Sequence, residues 1–197
     1  MINNDKQNNI EMRKIFLLLV AVIYSMTIFA QSTHMSFMGI PLNVSITDFS
    51  SRLTQKGATV SPTSDKLGLP NCKMFKGTFF DCQADIYTYY NLKSKIVYRA
   101  KAVIKQRSFD RALNDATSII SVIKSKYNVI DIQDNSEEDF ISQSFQISTK
   151  ENNEEIGTIA IYTTQVDPKV EDDYYLHVDY IDKANYDLNT KAKEEDI

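Results

Sequence analysis

Residues 109–126 read FDRALNDATSIISVIKSK. Phe109, Ala112, Leu113, Ala116, Ile119, Ile120 and Ile123 recur in steps of three, one, three, three, one and three, and Tyr127 follows four residues later. That period places all of them on one stripe of an α-helix, with Asp110, Asn114, Ser118, Ser121 and Lys124 on the opposite side. Ser108 stands where an N-cap belongs, Asp110 falls in the first turn, and Lys124 and Lys126 fall in the last. Each suits the charge of its helix end. Ordering such a helix costs about 1–2 kcal/mol per residue for the backbone alone. Its large apolar side chains return only about 1.5–3 kcal/mol each. The helix therefore requires a partner surface.

The flanking sequence supplies a sheet. Upstream, residues 73–79, 83–90 and 95–105 read as strands. Ala84, Ile86, Thr88 and Tyr90 alternate with Asp85, Tyr87 and Tyr89. Ile96, Tyr98, Ala100, Ala102 and Ile104 alternate with a side carrying Lys95, Val97, Arg99, Lys101, Val103 and Lys105. Downstream, residues 129–132, 141–149, 156–164 and 174–181 read as further strands, the last with Tyr174, Leu176, Val178 and Tyr180 on one face. A shorter helix at 46–56 is announced by Ser45 as cap and Gly57 as stop, with Ile46, Phe49 and Leu53 on its apolar side. Successive strands without intervening helices exclude a parallel doubly wound sheet. The expected fold is α+β: an antiparallel sheet with two helices on one face, in the order α-β(3-4)-α-β(3-4). That order is a pseudo-repeat with halves 37–106 and 107–182. A single domain spans 31–182, and residues 183–197 form a charged tail.

The chain opens differently. Residues 1–11 are polar, Arg13 and Lys14 follow Met12, and residues 15–29 are an apolar run ending before Ala30. This is the layout of a signal peptide cleaved after Ala30, with Met12 as the natural start, so residues 1–30 are upstream residues plus signal peptide. An uncleaved anchor is the alternative, but the run is short of the roughly 20 residues a spanning helix needs. The expected localisation is exported, periplasmic or extracellular, with membrane contact only through this segment if it is retained. The net charge of −4 argues against a nucleic-acid partner, which requires a concentrated basic footprint.

Two motifs carry a family resemblance. One is Phe37-Met38-Gly39-Ile40-Pro41-Leu42 followed by the short helix ending in Lys56-Gly57. The other is Phe75-Lys76-Gly77-Thr78-Phe79 followed by the strand KIVYRAKAVI at 95–104. On these the chain resembles a family of small exported Bacteroidales proteins of uncharacterised function, over residues 35–182. The resemblance brings no catalytic residues. In architecture alone, tandem helix-plus-sheet halves resemble exported β-lactamase-inhibitor-like modules, and shared architecture does not transfer function.

Chemistry is sparse. The chain has two histidines, His34 and His177, and neither a Gly-x-Ser-x-Gly turn nor a Gly-rich phosphate loop. His177 lies two residues from Asp179 on a strand, so both point to one face. The cysteines and histidines lack zinc-site spacing. The acidic stretches at 134–139 and 171–173 lack the spacing and glycine of a calcium loop. No catalytic residue, metal site or cofactor is expected. Cys72 and Cys82 form a candidate disulfide if the hairpin between them turns at 76–77. A turn at 80–81 instead puts Cys72 near Tyr89, beyond the ~7 Å Cα separation a bridge allows, and the long alternation from Gln83 favours this second turn. The remaining feature is the sheet face turned from the helices, where alternation places Tyr87, Tyr89, Arg99, Lys101, Tyr162, Tyr175 and His177. Tyr and Arg on a rigid surface are the side chains of binding hot spots.

The leading expectation is an exported non-catalytic binding module of the bacterial envelope, taking an envelope protein or glycan on the open sheet face. The alternatives are an exported hydrolase using His177 with a carboxylate, and an inhibitor of an exported enzyme.

Overall fold

The computed structural model describes residues 33–66, 68–165 and 173–194. The expected signal segment and its cleavage point lie outside these residues. The chain enters through a tight hairpin of β1 (Ser36–Phe37) and β2 (Ile40–Pro41). Met38 and Gly39 between them both have positive φ, 52° and 75°, the conformation of a type I′ turn. The hairpin points Phe37 and Ile40 into the core, where Phe37 stacks on Phe79 at 5.3 Å and meets Tyr180 edge-on. Helix α1 (Ile46–Gln55) follows, with the Ser45 hydroxyl accepting from Asp48 N at 3.1 Å and with Ile46, Phe49 and Leu53 buried.

Strands β3 (Thr59–Val60), β4 (Cys72–Phe79), β5 (Cys82–Tyr90) and β6 (Val97–Gln106) then form an antiparallel meander. Helix α2 (Phe109–Lys126) crosses back, capped by the Ser108 hydroxyl. A second antiparallel meander comprises β7 (Asn128–Asp134), β8 (Ser142–Ser148), β9 (Glu155–Gln165) and β10 (Tyr174–Asp182). The meanders join through their last strands, with Ala102 opposite Val178, giving one sheet in the order β3-β4-β5-β6-β10-β9-β8-β7. The fold is α+β with an antiparallel sheet, as the strand patterning required.

One face of the sheet is the core. Ile86, Ala102, Val178 and Ile161 align across β5, β6, β10 and β9, and all are fully buried. Both helices share that core cluster. Helix α2 has the predicted bounds, but its buried column is Ala112, Ala116, Ile119 and Ile123. Ile120 is only partly buried and Leu113 is 44% exposed. Both flank the column on one side, beyond the width of helix that the sheet contacts.

Three expectations are corrected. Residues 183–194 are not a tail: Lys183–Glu194 is helix α3. It is held at the sheet end by polar contacts. Asn189 accepts from Asn91 Nδ2 at 3.1 Å, Asn185 Nδ2 donates to Leu42 O at 3.1 Å, and Tyr186 meets Tyr98 edge-on. Asp182, fully buried, caps the helix by accepting from Asn185 N and also accepts from Met35 N at 2.8 Å. Second, Cys72 and Cys82 are both free thiols. The β4–β5 hairpin turns at Phe80-Asp81, both at positive φ, so Cys72 faces Tyr89 at the open end while Cys82 sits at the turn. Third, Val97 is fully buried in the core. A bulge pairs Tyr90 with Val97 but Tyr89 with Arg99, and the extra residue reverses the alternation there.

Candidate functional site

The face opposite the helices is built by β5, β6, β10 and β9. Paired residues in an antiparallel ladder point the same way. Tyr87, Lys101 and Asp179 therefore form one row, and Tyr89, Arg99 and Ile181 the next. His177 lies between Val103 and Tyr162, and Tyr175 between Lys105 and Thr164. The structure thus brings all seven expected residues, Tyr87, Tyr89, Arg99, Lys101, Tyr162, Tyr175 and His177, onto one surface, each half-buried.

Neighbouring side chains fix these groups. The Arg99 guanidinium grips Asp179, with Nε to Oδ1 at 2.9 Å and Nη2 to Oδ2. Asp179 is only 3% exposed. Its hydrogen bond raises the pKa of Arg99 beyond the ordinary guanidinium range. The same guanidinium lies over the Tyr89 ring, 4.9 Å from its centroid, and burial pushes the Tyr89 phenol up to about 12. Lys101 Nζ lies 5.5 Å from the Tyr87 centroid, and burial pulls its ammonium below the usual lysine range. Planar contact between a cation and an aromatic face is worth about 0.5–1 kcal/mol at exposed sites.

His177 is the second focus. It stacks on Tyr162 at 4.5 Å with planes 4° apart, and its Nε2 lies 2.8 Å from Thr164 Oγ1. Nδ1 is buried with no hydrogen-bond partner among the described residues. Burial first, and then Lys101, pull its pKa down to about 4, so the ring is neutral at pH 7. Asp179, the carboxylate two residues away, is taken up by Arg99. A catalytic histidine oriented by a carboxylate requires that hydrogen bond on its second nitrogen.

Asp179 is the residue sequence reasoning underrated. Its signal was present: an acid at an outward position of a strand, in alternation with Tyr175 and His177. What the sequence lacked was the pairing of β10 with β6, which sets it beside Arg99. A depression of about 140 Å³ beside Tyr175, with Lys76, Asp85 and Lys105 in its walls, indents the surface. It is smaller than the ~300–1,000 Å³ usual for small-molecule sites.

Among the described residues, no group of three or more His, Cys, Asp and Glu is arranged to hold a metal ion, and no helix is long and apolar enough to cross a membrane. No family model matches the chain, and no curated protein or solved structure matches it.

Proposed function

We infer that this chain is an exported, non-catalytic binding module of the bacterial envelope, periplasmic or extracellular. Residues 12–30 act as its signal peptide, and an envelope protein or a glycan docks on the open sheet face. The two helix-plus-meander halves act as an internal repeat whose sheets merge into one broad platform. One observation carries the reading: Tyr89 and Arg99 form a pre-ordered stack on that platform, half-buried rather than extended into water and anchored by the buried Asp179. Aromatic and Arg side chains already held in place lose little entropy on binding and supply most of the energy of an interface.

The test is capture by the immobilised chain from an envelope extract and from fragmented cell-wall glycan. Tyr87→Ala, Tyr89→Ala and Tyr175→Ala together should weaken retention of the captured ligand by about tenfold or more. The thermal midpoint should fall by no more than a few degrees. Retention unchanged in the triple variant would remove the open face from the reading.

A further inference from the structure

The two edges of the sheet differ. At one end, β3 is only two residues long, and the loop after it continues the cover of β4. Ser61 N donates to Met74 O at 2.8 Å, and Met74 N donates to Ser64 Oγ at 3.0 Å, so the outer backbone groups of Met74 are occupied. At the other end, β7 is seven residues long and, among the described residues, pairs on one side only, with β8. Its register shifts between Val129 and Asp131, leaving Asp131–Asp134 as the regular stretch. An edge strand presents a row of unpaired N–H and C=O groups, and proteins usually shorten or cover such edges.

The side chains around β7 narrow down what could cover it. Ile130 and Ile132 are 43% and 42% exposed, and Phe140, just beyond, is 39% exposed. Between Tyr127 and Lys150 the chain carries Asp131, Asp134, Glu137, Glu138 and Asp139 and no Lys or Arg. Lys124 of α2 acts on Asp134, which also accepts from Ser136 N and Gln143 Nε2, so Asp131, Glu137, Glu138 and Asp139 carry most of the available charge. A second copy of this chain is a poor occupant, because pairing β7 with itself sets Asp131 and Asp134 against their own kind. Like charges across a strand pair are destabilising. A basic strand meets the opposite condition.

We propose that β7 is a docking edge for an extended, lysine- or arginine-rich segment of another protein, added to the sheet as a further strand. Main-chain hydrogen bonds to the regular stretch Asp131–Asp134 hold the segment, Ile132 takes an apolar side chain of it, and the carboxylates select its charge. Strand addition of this kind derives affinity from the backbone and specificity from alternate side chains. This edge is separate from the Tyr89–Arg99 platform and needs none of its residues.

The probe is a fluorescent seven-residue peptide of alternating Lys and Val, long enough to span the regular stretch Asp131–Asp134, titrated against the full chain by anisotropy. Binding is expected, with amide exchange slowed in β7. N-methylation of alternate peptide amides, or Glu in place of Lys, should weaken binding by about tenfold or more. So should Asp131→Lys combined with Glu138→Lys, two exposed positions whose replacement leaves the core intact. The triple tyrosine variant of the open face should bind as the parent does. Equal binding of the N-methylated peptide would overturn the proposal by showing mere charge attraction. Equal binding of the Glu peptide, failure of the Lys peptide to bind, or loss of binding in the tyrosine variant would overturn it as well.

Discussion

Arg99 and Asp179 are diagonal neighbours on β6 and β10, Asp179 lying opposite Lys101 and Arg99 opposite Ile181, and their side chains close a two-pronged ion pair across the seam where the two meanders meet. Asp179 is the more buried partner, with 4% of its side chain exposed against 30% for Arg99. Removing one partner of a buried pair leaves the other without compensation, a loss of about 3–5 kcal/mol when both are fully buried. Arg99→Met should therefore destabilise the chain more than Asp179→Asn, because it strands the more buried charge. Combining the two should recover part of the loss. Urea denaturation of the four proteins measures the coupling, and additive losses would show that the pair is worth little.

Acid should act on His177. Its pKa is lowered from 6.5 to about 4 by burial and by Lys101. As pH falls, the unfolded chain takes up the proton first. Stability rises with pH wherever the unfolded state binds more protons. The contribution of a neutral His177 is thus present above 6.5 and drains away between there and about 4. His177→Phe keeps an aromatic ring against Tyr162 and removes the titration. Its stability curve should be flatter over that window, and parallel curves would refute the assignment.

Gly157 should tolerate no side chain. A Cβ there would collide with the Ile181 carbonyl oxygen and with Met35 Cγ, both fixed by the sheet and the entering hairpin. Gly157→Ala should cost about 3 kcal/mol or more, the upper end of overpacking. At Gly77 the added Cβ would meet Ala58 Cβ at 3.0 Å, a milder crowding, so Gly77→Ala should cost less. Thermal melts of the two variants provide the comparison, and the reverse order would mean that the strands yield at Gly157.

The width of the buried stripe on α2 can be measured directly. Ile119 is 1% exposed and Leu113 is 44% exposed, although both share the apolar periodicity. Ile119→Ala should cost about 2–5 kcal/mol. Leu113→Ala should change stability by about 0.5 kcal/mol or less, as surface substitutions do. Similar losses at both positions in chemical denaturation would place Leu113 against a surface.

These contrasts mark how far the sequence could be read. Helix α2 was legible because its cap, charges and apolar period all agreed. The open face was legible because alternation in β5, β6 and β10 is nearly unbroken, and a period of two leaves no freedom about facing. Alternation failed at Val97, where the bulge beside Tyr90 adds one residue and reverses the facing. Helix α3 was invisible for another reason: Asn185, Asn189 and the Asp182 cap fasten it, and polar anchors leave no hydrophobic period. The Arg99–Asp179 pair needed the strand order, which depends on contacts between residues 80 positions apart.

Among the described residues the strand latest in the chain, β10, lies at the centre of the sheet, between β6 and β9. A nascent chain that stops before Tyr174 therefore has two half-sheets, each with a bare inner edge, and neither can close the core. Such edges template misassembly. A chain cut before Tyr174 should therefore be more readily proteolysed than the parent, because β6 and β9 lose the strand that joins them.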